Sequence, residues 1–140
     1  MTCHLLSPSY LLSPMQTSAS ESKTAFTRVG QISTREWMGA TVFAGAALEA
    51  LLLWALKRAK LSEAPKRPLD ALHLADLIRL AANNRVIDDG AEWQASLAKD
   101  ARNLIHPGKA LRSGKACNKT TALTALTAVY RVIDVLKAAG

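Results

Sequence analysis

Aromatic residues are scarce in this chain. They make up 5% of its 140 residues, against 49% apolar residues, and alanine and leucine dominate the apolar set. That imbalance works against β-sheet, which favours aromatic and β-branched side chains, and towards helix. No stretch alternates apolar and polar residues as a half-buried strand does. Cysteine is nearly missing as well. Cys3 and Cys117 are too few for a disulfide framework or a zinc site, and a reduced, cytoplasmic setting is expected. The start of the chain lacks a basic segment followed by an unbroken apolar run, so no secretory signal is expected. Acidic residues are in short supply too, leaving a formal net charge of +7.

The positive excess is concentrated in two places. Across residues 99–119, six basic side chains face Asp100 alone, a net of +5. Across residues 57–67, five face Glu63, a net of +4. Clusters of this kind suit a phosphate backbone or an anionic membrane surface, and a solvated basic face with no partner has the same composition. A length of 140 residues is that of one domain with a real core.

Residues 1–32 read as a disordered tail. Leu-Leu-Ser-Pro occurs twice, at 5–8 and 11–14, and Ser, Thr and Gln follow without periodicity, leaving little apolar surface to repay ordering. Ser33 and Glu36 then have the spacing of a capping box, predicting a helix from there to about residue 60. Its residues 37–56 carry Glu49 as their only charge, with Trp37 and Trp54 near the ends. Length and apolarity are those of a membrane span, yet Glu49 would cost about 3 kcal/mol in lipid. Much of the run is Ala and Gly, so a central helix buried by protein fits better. Glu49 then needs a basic partner, such as Arg102 or Arg79. The three tryptophans read as packing residues rather than base-stacking platforms.

A connector with two prolines follows at 61–68, then a second helix at 69–82, ended by Asn83 and Asn84. His73 lies between Asp70 and Asp76, but nothing else supplies metal ligands at a telling spacing, so a solvated face is expected. Asp89 as N-cap with Glu92 three residues on opens a third helix, running to His106. Trp93, Leu97, Ala101 and Leu104 form its apolar stripe, expected to face the core, while Lys99, Arg102 and His106 share another face. Pro107 is a hard stop and Gly108 frees the turn, so residues 107–118 are expected to form a basic loop. Gly114-Lys115 invites a phosphate-loop reading that fails. Ala116 stands where Ser or Thr should, the spacing from Gly108 is too long, and no strand precedes it. Asn118 or Thr120 caps a last helix to about residue 138, with Ala122, Leu126, Val129, Ile133 and Leu136 as its apolar stripe. The expected fold is all-α, an antiparallel bundle of four to five helices.

Arg102-Asn103-Leu104-Ile105-His106-Pro107-Gly108 resembles the Arg-polar…His signature of the HEPN superfamily, in a short Arg-Asn-x-x-His-Pro form. Gly45-Ala46-Ala47-Leu48-Glu49-Ala50-Leu51-Leu52 and Leu77-Ile78-Arg79-Leu80-Ala81 agree with the helices before it, so the resemblance spans about residues 33–138. It implies a small, usually dimeric helical bundle. Many members are metal-independent endoribonucleases of toxin–antitoxin or phage-defence systems, with a composite site across the dimer. By that resemblance His106 is the general acid/base, Arg102 holds the scissile phosphate and Asn103 orients both, with Lys99, Lys109, Arg112 and Lys115 tracking the RNA backbone. No metal or cofactor is implied; the implied partners are a second copy, RNA and a cognate antitoxin. The alternative is a non-catalytic RNA- or protein-binding module, and a single-span membrane protein is a weaker reading. One departure bears on the chemistry: only three residues separate Arg102 from His106, fewer than in the usual signature. Each residue fewer turns His106 about 100° around a helix axis.

Overall fold

The computed structural model describes the backbone of residues 19–140 and the side chains from Glu36 onward. Two units are distinguished, residues 1–33 and 34–140. The first is described only as helical backbone from Ala19; the rest of the expected tail, and Cys3, lie outside the described residues. The second unit carries everything that follows.

Five α-helices and one 3-10 turn are described, with no strand among the described residues. They are α1 (Ala19–Arg58), the turn Leu69–Ala71, α2 (Leu74–Asn83), α3 (Asp89–Asn103), α4 (Pro107–Ser113) and α5 (Lys119–Ala139). The architecture is an all-α helical bundle, as the composition predicts. The expected start at Ser33 is corrected: helical backbone is already present from Ala19, so Ser33 is inside α1.

The core has two textures. Leu48, Leu52 and Leu56 of α1 and Leu74, Leu77, Ile78 and Leu80 of α2 supply the large side chains of the core. On α3 and α5 the buried residues are small: Ala91, Ala95, Ala98 and Ala101 on one helix, Ala122, Ala125, Ala128 and Val132 on the other. Small side chains at a crossing let helix axes approach closely, and α3 packs extensively along α5. This corrects the expected core stripes. Trp93 is exposed and Leu97 and Leu104 only half-buried, while Leu126, Val129, Ile133 and Leu136 lie at the edge of the core.

From Glu36 onward, α1 is buried along one side only. Ala44, Leu48, Leu52, Ala55 and Leu56 face inward, whereas Phe43, Ala46, Ala47, Ala50 and Trp54 are exposed. The stretch Glu36–Arg58 is long and apolar enough to cross a membrane, and 39% of its most apolar window is buried inside the protein. Trp54 carries Arg58 over its ring at 4.9 Å, so it is not a core residue. Trp37 is half-buried.

Local signals set the joints. Asn118 accepts from the Thr121 amide while the Thr121 hydroxyl accepts from the Asn118 amide, a reciprocal cap that starts α5. α3 starts one residue earlier than expected: its N-cap is Asp88, whose carboxylate accepts from Ala91 N at 2.7 Å and also pairs with Arg131 at 2.7 Å. The expected helix over 69–82 is broken at Leu72 and His73, and His73 becomes the exposed N-cap of α2. Asn84 does more than end α2. Its side-chain oxygen accepts from the amides of Ser62 and Glu63 at 2.8 and 3.0 Å, fastening the proline-bearing connector to the bundle.

Candidate functional site

The candidate signature lies where α3 passes into α4. Arg102 and Asn103 complete the last turn of α3, and Leu104 caps it in helical geometry. His106 then adopts an extended conformation, φ −85° and ψ 116°, as required of a residue before proline. Its carbonyl accepts from the amides of Lys109 and Ala110 at 3.0 and 3.1 Å, so His106 is the N-cap of a new helix with Pro107 at its first position. Proline is favoured there because its missing N–H would have no helical partner. Two expectations are corrected. His106 is not on α3 and shares no helix face with Arg102, and much of the expected basic loop 107–118 is helical, ending in a left-handed Gly114 at φ 64°.

Arg102 turns towards α1. Its guanidinium donates to Glu49 Oε2 at 2.8 Å, the partner expected from the sequence, with the two side chains 36% and 39% exposed. The approach depends on Gly45, one turn before Glu49. A Cβ there would stand 2.6 Å from Arg102 Cδ and 3.2 Å from Cγ. Gly45 and Glu49 thus form a seat for one arginine, the first by leaving space and the second by charge. Arg79, the other partner considered for Glu49, pairs with Asp76 instead at 2.6 Å.

Asn103, one residue on, lines a cleft of about 640 Å³ between the end of α3, α4 and the start of α5. Lys109 and Arg112 of α4, Lys115 beyond it and Asp100 of α3 share that cleft, together with the hydroxyl residues Ser113, Thr121 and Thr124. Four of the seven predicted site residues are therefore brought together: Asn103, Lys109, Arg112 and Lys115. Arg102 is held on the α1 side. Lys99 is paired with Asp100 at 3.4 Å, and His106 is exposed at the α3–α4 joint; neither lines the cleft.

Sequence reasoning takes Gly45 only as part of the run that agrees with the first helix of the resemblance, and assigns no role in the cleft to the threonines of α5. It also placed Trp93 in the core. Cys117 is a buried free thiol, 3.3 Å from the fully buried hydroxyl of Thr41, and packs the start of α5 against α1. Among the described residues no three His, Cys, Asp or Glu side chains converge as a metal site. No protein-family model, curated protein or solved structure matches this chain.

Proposed function

We propose that this chain is a HEPN-like helical module that binds RNA along the cleft between α3, α4 and α5. The observation that carries this reading is the gathering of Lys109, Arg112 and Lys115 beside Asn103 in one open cleft. Cations so grouped offer a phosphate backbone successive contacts, and binding then releases counterions. Asn103 and the threonines add hydrogen-bonding groups that suit sugar and phosphate oxygens. The experiment is RNA binding by fluorescence anisotropy across a salt series, with a variant carrying Lys109→Ala, Arg112→Ala and Lys115→Ala. Loss of affinity with a shallower salt dependence supports the reading; unchanged binding overturns it.

A second reading is a metal-independent endoribonuclease of toxin–antitoxin or defence type, formed by two copies of the chain. It is favoured by the way Arg102 is held: Glu49 fixes one guanidinium nitrogen, leaving further N–H donors for a phosphate oxygen. In that composite site His106 of one copy would take the proton of the ribose 2′-hydroxyl or give one to the leaving oxygen, a role suited to imidazole. Arg102 would offset charge building on the phosphate, and Asn103 would orient it. RNA cleavage in EDTA, abolished by His106→Ala and by Arg102→Ala, supports it. Cleavage indifferent to both removes it, and intact RNA in the presence of folded, RNA-bound protein leaves binding as the function.

A further inference from the structure

The exposed side of α1 is an unbroken apolar stripe. Phe43, Ala46, Ala47, Ala50 and Trp54 recur at intervals of three and four residues, so they share one helix face, away from the buried leucines. Phe43 is 77% exposed and Trp54 54%, and the two stand about 16 Å apart along the axis. No charged side chain lies on this stripe between Glu36 and Lys57. Glu49, at its edge, is already paired with Arg102. The stripe then runs into cations. Lys57 and Arg58 form the last turn of α1, and Lys60, Lys66 and Arg67 follow in the connector. Arg58 lies over the Trp54 ring at 4.9 Å. Of these five only Lys57 has an ion pair among the described residues, with Asp70 at 2.7 Å.

We infer that α1 docks lengthwise on an anionic bilayer surface, with Phe43 and Trp54 in the boundary between headgroups and acyl chains and the cations after Trp54 on lipid phosphates. This does not rest on the RNA-binding reading. A helix with an exposed aromatic face and basic residues beside it is the arrangement that lies in the plane of an interface. Tryptophan favours the headgroup level, and a cation held over its ring is placed there with it. Spanning is disfavoured by the other side of the same helix. Leu48, Leu52 and Leu56 are in the protein core, so lipid could surround α1 only if the bundle came apart. A second copy is the poorer occupant. It would bring the same stripe and the same net charge of +7, whereas an anionic surface complements every one of the unpaired cations.

The test is co-sedimentation of the full chain, free of RNA, with phosphatidylcholine vesicles with and without roughly one-third phosphatidylserine. Binding to the anionic vesicles, weakened by salt, is expected. Phe43→Ser and Trp54→Ser should each weaken it roughly 10-fold or more, as loss of a buried aromatic side chain does. Arg58→Gln and Lys60→Gln should each cost roughly 5-fold on anionic vesicles and nothing on neutral ones. All four positions are exposed, so the bundle is expected to survive, and Trp93→Ser, exposed on α3, is the control that should bind like the parent. Protein that stays in solution with both vesicle types overturns the inference. So does binding that ignores Phe43 and Trp54 but is lost on removing Lys109, Arg112 and Lys115, which would assign the lipid to the cationic cleft. A solution dimer broken by Phe43→Ser, without vesicle binding, gives the stripe to a second copy. Vesicle-bound protein that resists extraction at alkaline pH makes α1 a span and overturns docking in the plane.

Discussion

Placing a methyl group on Gly45 probes the seat of Arg102 directly. In the parent protein Gly45→Ala has two opposed effects. Alanine in a helix interior is favoured over glycine by about 0.5–1 kcal/mol. The new Cβ, however, would meet Arg102 Cδ at 2.6 Å, so the arginine must leave its place. Displacement sacrifices the ion pair with Glu49, about 0.2–1 kcal/mol for groups exposed to this degree. Packing strain adds about 1 kcal/mol or more if the side chain moves only partway. The net change is expected to lie between neutral and a destabilisation of about 2 kcal/mol. Arg102→Ala removes the clash, so in that background Gly45→Ala should stabilise by about 0.5–1 kcal/mol. The sign of one substitution's deviation from additivity then reports the contact, and the coupling across the cycle should be about 1–2 kcal/mol. Urea unfolding of the four proteins measures it. Equal effects of Gly45→Ala in both backgrounds, to within about 0.5 kcal/mol, would refute the seat.

Other substitutions separate the two textures of the core and the caps. Leu48→Ala or Leu52→Ala, both fully buried, should cost about 2–5 kcal/mol in urea unfolding by leaving a cavity. Ala98→Leu at the close crossing of α3 and α5 should cost about 1–3 kcal/mol by overpacking, whereas the same exchange at exposed Ala47 should be near neutral. Asn118→Ala should cost about 1 kcal/mol through loss of the reciprocal cap of α5, and Asn118→Asp should recover most of it. Gly114→Ala, forced to a φ of 64°, should cost about 1 kcal/mol through backbone strain alone, since open space surrounds it.

Much of this architecture was legible because several local signals agreed. Alanine-rich composition, the absence of alternation and the cap at Asn118 all point to helices, and a charged residue in an apolar helix demanded a partner that proved to be Arg102. The misreadings have physical causes. On α3 two sets of residues satisfy helical spacing, one of large residues beginning at Trp93 and one of alanines beginning at Ala91. Hydrophobicity favours the first, but the close approach of α5 requires the second, and that requirement belongs to another part of the chain. Pro107 was read as a stop and is one, for α3; the same fixed φ that ends one helix begins the next. The share of the site that could be read follows the same pattern. Charge clustering located Lys109, Arg112 and Lys115, while Lys99 and His106 were grouped with Arg102 on the premise of one unbroken helix, and α3 ends before His106.

The cationic cleft is the centre of the account, and the salt dependence of RNA affinity tests it most directly. Each phosphate contact on a single strand contributes roughly −0.7 to the slope of log affinity against log salt. Replacing Lys109, Arg112 and Lys115 by alanine should therefore make that slope shallower by roughly 2, together with a marked loss of affinity at low salt. The same slope and affinity in parent and variant would contradict the account, since RNA would then be held, if at all, somewhere other than this cleft.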